Sequence, residues 1–167
     1  RQSRSGAEST NQRPMSNLDL GLIGNSRTSA LIDRQARIVW WCYPHFDSDP
    51  LCCSLLRSEE QNRSPDAFGF IDVLFPSSRT VRQVYQCNSA ILQTRLEDDS
   101  GNVIEVIDFS PRFYLHGRMF APAMIVRMIR RVAGRPRIGA RLRPALNYGS
   151  DRALSRCGAH HVTYSGS

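Results

Sequence analysis

Short runs of alternating apolar residues, each closed by turn-forming residues, recur along this chain and constrain its fold more than any other feature. Leu18, Leu20 and Leu22 alternate with Asp19 and Gly21, the two-residue period of a half-buried strand. Gly24-Asn25-Ser26 supplies turn chemistry, because glycine accepts positive φ while Asn and Ser bond the local backbone. Ser29 to Asp33 and Ile38 to Cys42 read as a hairpin across Arg34-Gln35-Ala36-Arg37. Ser48 or Asp49 is expected to cap a short helix that opens at Pro50 and turns Leu51, Leu55 and Leu56 inward. Arg57 to Ala67 is charged and reads as a surface loop.

The pattern continues to the far end of the chain. Strands are expected over 68–75, 80–87, 90–97, 103–109, 123–132, 137–143 and 160–164. Asp98 to Asn102 is a strong hairpin turn, Pro111 to Pro122 a longer loop, and Ala133-Gly134-Arg135-Pro136 another turn. Over Arg137 to Arg143 the apolar Ile138, Ala140 and Leu142 alternate with arginines and Gly139, which predicts a core face and a solvated guanidinium face. The expected architecture is all-β, an antiparallel β-sandwich with one short helix. Residues 1–17 are polar and aperiodic and are expected to be a disordered leader, leaving 18–167 as a single domain.

Charge narrows the partners. The net charge is +7, and all 22 basic residues are arginine, which reads as coding bias before function. Residues 1–109 carry 11 Arg and 14 acids, whereas 110–167 carry 11 Arg and one acid, Asp151. Such asymmetry suits a nucleic acid, a membrane surface or an acidic neighbouring domain. Aromatic rings do not interleave with Arg127, Arg130, Arg131, Arg135, Arg137, Arg141 and Arg143, so nucleic acid is disfavoured and a solvated strand face is the simplest reading. No run approaches the roughly 20 apolar residues of a membrane span, and no apolar signal core opens the chain. The five cysteines form no C-x-x-C and have no His at ligand spacing, so buried free thiols in a reducing cytoplasm are expected, without metal or cofactor. An Arg start and a Ser-Gly-Ser end suggest a fragment of a longer product.

Few residues are placed for chemistry. Of the close carboxylate pairs, Glu59/Glu60 and Asp98/Asp99 fall in expected surface loops, and Asp47/Asp49 is explained by helix capping. No catalytic residue is assigned. The densest patch of specific side chains is Trp40 to Phe46, which holds four aromatic rings and His45. These rings suit a sugar-stacking platform or plain core. Strand alternation places Trp40 inward with Cys42, and Trp41 outward with Tyr43.

The same patch carries a resemblance. Ile23-Gly24-Asn25-Ser26-Arg27-Thr28-Ser29-Ala30-Leu31, followed by Ile38, Trp40, Cys42, Pro44, Phe46, Asp47 and Ser48, resembles the start of bacterial family 15 glycoside hydrolases, the glucoamylase and trehalase-like enzymes. Tyr85 to Leu96, Val106-Ile107-Asp108-Phe109-Ser110-Pro111, and Arg143-Pro144 with Tyr148-Gly149 extend it in the same order. Two positions depart from the family pattern: Gln35-Ala36 stands where Asp-Gly is usual, and His45 where Arg is common. The resemblance implies a two-sheet supersandwich preceding an (α/α) barrel of the same polypeptide. That barrel, which holds the catalytic glutamates, lies outside this sequence. By the same resemblance the complete enzyme would invert α-glucosidic bonds of an α-glucan or trehalose. Arg27, Trp41, Tyr43, Pro44, His45, Phe46 and Asp47 are then candidates for contact with the barrel or its substrate. The alternative is a stand-alone module that binds carbohydrate or nucleic acid without catalysis.

Overall fold

The computed structural model describes residues 19–166, so the expected leader and Leu18 lie outside the described residues. In chain order the strands are β1 (Gly21–Gly24), β2 (Ser29–Ile32), β3 (Ile38–Cys42), β4 (Pro50–Cys52) and β5 (Phe70–Leu74). They continue as β6 (Arg79–Tyr85), β7 (Leu92–Glu97), β8 (Val103–Phe109), β9 (Phe113–Leu115), β10 (Arg118–Phe120) and β11 (Val126–Ala133). Last come β12 (Gly139–Arg143), β13 (Ala145–Leu146), β14 (Asp151–Arg152), β15 (Leu154–Cys157) and β16 (Val162–Ser165). A single-turn helix, α1 (Glu59–Arg63), lies between β4 and β5.

Every pairing is antiparallel. One sheet has the order β1-β2-β3-β5-β12, with β4 also on β3; the other has the order β11-β8-β7-β6. Ile23, Ala30, Ile32, Ile38 and Cys52 of the first sheet pack on Leu92 of the second. Ala36 and Phe75 pack on Leu96, Ile104 and Val106. The core therefore lies between two facing sheets, and the molecule is a sandwich. Three two-stranded ribbons, β9/β10, β13/β14 and β15/β16, complete the described strands.

The interior holds charge as well. Asp108 on β8 is fully buried and is gripped by both arms of Arg127 on β11, at 2.7 and 3.0 Å. Arg127 also reaches the Ile71 carbonyl of the facing sheet at 3.5 Å. Burial holds the Asp108 carboxyl above its usual 3.8, with the Arg127 hydrogen bonds and charge pulling the other way.

Several expectations need correcting. The helix expected from Pro50 is instead the strand β4 followed by a 3-10 turn at Ser54–Leu56. Pro50 sits at the strand's first position, where its missing N–H is tolerated, and Leu56 is 74% exposed. The helix forms later, inside the expected loop. Ser58 accepts from the Gln61 backbone N–H, while the Gln61 side chain accepts from the Ser58 N–H, a complete capping box. The expected 111–122 loop contains the β9/β10 hairpin, turned at Gly117. Arg137–Arg143 does not run back along β11; β12 pairs with β5 in the other sheet. Its faces are inverted too. Ile138 and Leu142 are 44% and 46% exposed, while Arg141 bonds Asp72 and Arg143 bonds the Pro65 and Ala67 carbonyls.

The hairpin over 29–42 forms as expected, but not with a two-residue primed turn. Asp33 accepts from the Gln35 and Arg37 N–H groups at 2.8 and 2.9 Å, and buried Ala36 adopts φ 58°. The side-chain cap supplies what glycine would otherwise provide. The alternation read across Trp40 and Trp41 fails because β3 is bulged: Leu31 pairs Trp40, yet Ile32 pairs Ile38. Val39 is the extra residue, and both tryptophans end half-buried, with Trp41 the one packed against the core cluster.

All five cysteines are free thiols, but only Cys42, Cys52 and Cys53 are buried; Cys87 and Cys157 are exposed. Burial pushes the Cys52 thiol up to about 12, with Cys53 beside it adding to the shift. Thiol labelling of the native chain at pH 8 is expected to modify Cys87 and Cys157 quickly and to reach the other three only on unfolding. Mass mapping of the labelled peptides checks this, and fast labelling of Cys52 would contradict the packing.

Candidate functional site

The motif from Gly24 to Thr28 builds a bracket rather than a reactive centre. Asn25 is buried at 3% exposure, and its side chain is saturated. Its oxygen accepts the Arg27 and Thr28 N–H groups at 3.1 and 3.2 Å. Its amide donates to the Pro111 and Pro122 carbonyls at 2.9 and 2.7 Å. One side chain thus holds both ends of the segment that carries the β9/β10 hairpin. Thr28, fully buried, donates to the Cys42 carbonyl at 3.2 Å and accepts from the Trp41 indole N–H at 2.8 Å. The turn and the strand β3 are thereby fastened to each other.

The segment after β3 opens outward. The Tyr43–Pro44 peptide is cis. The Tyr43 N–H donates to the Asp49 carbonyl at 3.3 Å, the Ser48 N–H donates to the His45 carbonyl at 3.2 Å, and the Ser48 hydroxyl accepts from the His45 N–H at 3.2 Å. Tyr43 and Phe46 stay 43% and 55% exposed on this closed loop, and Pro44, His45 and Asp47 are exposed with them. Trp41 meets Tyr43 edge to face at 5.6 Å, so the inner ring supports the outer one. Burial raises the Cys42 thiol beneath, with the Asp49 and Asp47 charges acting in the same direction. Arg27 is exposed beyond the turn.

Sequence reading missed two contributors. The Tyr148 backbone N–H donates to an Asp49 carboxylate oxygen at 2.5 Å, which brings a ring that is 77% exposed up to the same loop. Gly149 holds φ 86°, and a Cβ there would lie 2.9 Å from the Cys53 sulfur, so the Tyr148-Gly149 turn requires glycine. The Arg143-Pro144 and Tyr148-Gly149 pairs were the available signal. The second contributor is Arg112, which donates to the Ser26 hydroxyl at 2.9 Å and closes one side of a groove of about 490 Å³. Ile91, Phe109 and Phe113 give that groove its apolar wall, and none of the seven predicted residues lines it.

Asp49 is engaged with Tyr148, Glu59 with Arg63, and Asp98 with the backbone of its own turn. Among the described residues no three His, Cys, Asp or Glu side chains converge, and no helix is long and apolar enough to cross a membrane. What the arrangement offers is a surface: aromatic rings and polar tips on a loop closed by its own hydrogen bonds.

The family described as trehalase-like, N-terminal, matches residues 8–157. A trehalase of Thermoplasma volcanium is 28% identical over 137 residues, covering 80% of this chain and 20% of that protein. The chain therefore spans about a fifth of the length of this curated relative. No solved structure matches the chain.

Proposed function

The chain belongs to the trehalase-like N-terminal domain family, and from that membership we propose that it is the accessory β-sandwich of a larger family 15-type hydrolase acting on α-glucosidic bonds. In this reading the remainder of the polypeptide, an (α/α) barrel, carries the catalytic acid and base. The sandwich packs on that barrel and shapes its entrance for trehalose or an α-glucan. Trp41, Tyr43, Pro44, His45, Phe46, Asp47 and Arg27 form the contact surface, joined by Tyr148. A reducing cytoplasm suits its five free thiols. No cofactor enters the reading.

The observation that carries the proposal is the match to one fifth of a trehalase. The exposed rings on the 43–49 loop support it, because large apolar side chains grouped on a surface mark contact sites. The nucleic-acid alternative is weakened by the use of Arg127, Arg141 and Arg143 in internal bonds.

The test compares this chain with the same chain extended by its native downstream sequence, each assayed for glucose release from trehalose and maltooligosaccharides. Activity only in the long form is the expected result. In that form, Tyr43→Ser with Phe46→Ser is expected to lower kcat/KM about tenfold, equivalent to about 1.4 kcal/mol of transition-state stabilisation. Turnover by the isolated chain, or none by a folded long form, would overturn the reading.

A further inference from the structure

One strand of the sandwich turns an apolar row toward the core side and finds no cover there. On β5 and β12 the residues directly opposite each other include Val73 with Ala140 and Ile71 with Leu142. Opposite residues of an antiparallel pair share a face. Ile71 and Val73 pack against the two core clusters, so Ala140 and Leu142 stand on the core side of their sheet. Both are nevertheless exposed, as is Ile138 two residues ahead of Ala140. The other face of β12 is engaged, with Arg141 on Asp72 and Arg143 on the Pro65 and Ala67 carbonyls.

The facing sheet stops one strand short. Its terminal strand β11 lies over β5: Ile129 and Val73 pack against the same core cluster, and Arg127 reaches the Ile71 carbonyl. β12 lies one strand beyond β5, and among the described residues no strand pairs with the outer edge of β11. Ile129 is accordingly half-buried, although it packs on the core. Arg131 pairs directly with the buried Ile104 of β8, which puts it on the core side as well, yet it is exposed. The result is a slot one strand wide, with an open ladder along one side and an apolar row for its floor.

On the reading above, in which a larger catalytic part follows, we propose that this slot takes an extended strand from the polypeptide after Ser167. The strand adds to β11 by backbone pairing and lies across Ala140 and Leu142. Placement selects that occupant. The Tyr164 hydroxyl of β16 donates to the Leu142 carbonyl at 3.1 Å, so the chain already runs beside the slot and a following segment enters it without crossing the sandwich. All but 20% of the trehalase relative lies outside the match, ample length to supply one strand. A second copy fits less well, because its own open strands bring the exposed Arg82 or Arg131 to a slot that already holds Arg131. The chemistry of the strand follows from the walls: apolar residues at alternate positions facing β12, and a carboxylate within reach of the Arg131 guanidinium.

Thiol labelling of the long form tests this. Thiols introduced singly by Ala140→Cys and Leu142→Cys are expected to react with a maleimide at least about 100-fold more slowly than a small free thiol at the same pH. Hydrogen exchange in the unsubstituted long form separates an added strand from side-chain cover alone. The β11 amides that point away from β8 are expected to exchange at least about 100-fold more slowly than in an unstructured peptide. Labelling at 140 and 142 at the free-thiol rate, or unprotected outward amides on β11, would overturn the proposal. So would slow labelling that accelerates on dilution, which would assign the face to a second copy. Glucose release is scored separately. An inactive long form with slow labelling and protected β11 amides removes the α-glucosidic reading and keeps the strand; an active long form with fast labelling does the reverse.

Discussion

Replacing Arg127 with leucine is expected to lower the unfolding free energy by about 3–5 kcal/mol, a large share of the roughly 5–15 kcal/mol that holds a domain folded. The loss comes from Asp108, which is fully buried and relies on Arg127 for both of its charged hydrogen bonds. The leucine would also surrender the contact to Ile71 on the opposing sheet. The penalty should depend on pH in a defined direction. Burial already holds the Asp108 carboxyl above 3.8, and Arg127 is the group that pulls it down. A carboxyl whose folded pKa is raised contributes its full stability below the unfolded value and loses it as pH rises through the folded value. Removing Arg127 raises that folded value further. The defect should be smallest near about pH 4 and grow toward about pH 7. Urea midpoints across that range, at unchanged m, measure it. Replacing both residues with leucine should restore most of the loss, because an apolar pair of similar volume leaves no stranded charge. A defect of equal size at both ends of the range would show that packing, not charge, dominates.

Asn25→Ala is the second large effect, at about 2–4 kcal/mol. The substitution strands the Arg27 and Thr28 N–H groups and the Pro111 and Pro122 carbonyls together. Its signature should be local as well as global. Amides of Phe113–Phe120 should exchange faster than those of β7 and β8, since the hairpin loses the anchor at both ends. Asn25→Asp separates the two halves of the bracket. It keeps the acceptor oxygen but aims a carboxylate at two carbonyls, so at neutral pH it should be as damaging as alanine and should improve as pH falls. Equal exchange throughout the domain would mean that Asn25 supports the core rather than the hairpin.

The strands with clean period-two patterns and strong turns were legible in the sequence. Val103–Phe109 has the expected bounds, and its partner across Asp98–Asn102 differs only at its start. The 29–42 hairpin was equally plain. What misled was chemistry that period alone does not encode. One inserted residue, Val39, shifted the faces of Trp40 and Trp41. The arginines of β12 looked solvated because guanidinium groups usually are, yet Asp72 and the backbone carbonyls of Pro65 and Ala67 draw two of them inward. That requires knowing which strand β12 lies beside, and the sequence order suggested β11. The Ser58-x-x-Gln61 spacing of the capping box stands in the sequence, within a stretch whose charge reads as a loop. The candidate loop is visible in the sequence as a cluster of rings, but the Tyr148 N–H that bonds Asp49 lies 99 residues away, and the turn chemistry of Asn25 does not reveal that it ties down the distant Pro111 and Pro122 carbonyls.

Both terminal strands of the second sheet are open: β6 on one side and β11 on the other. Open strands invite another copy to continue the ladder. Here they carry like charge: Arg79 and Arg130 are paired with Glu97 and Glu105, but Arg82 on one and Arg131 on the other are exposed. Two copies meeting edge to edge would bring guanidinium against guanidinium. That protection is purely coulombic, and it fades as the screening length shrinks from about 10 Å at 0.1 M salt to about 3 Å at 1 M. The colloidal behaviour of the chain is therefore inverted relative to its fold: the salt that leaves the buried ion pairs untouched removes the barrier between neighbours. Dilute buffer should keep the molecules apart, and concentrated salt should let them assemble.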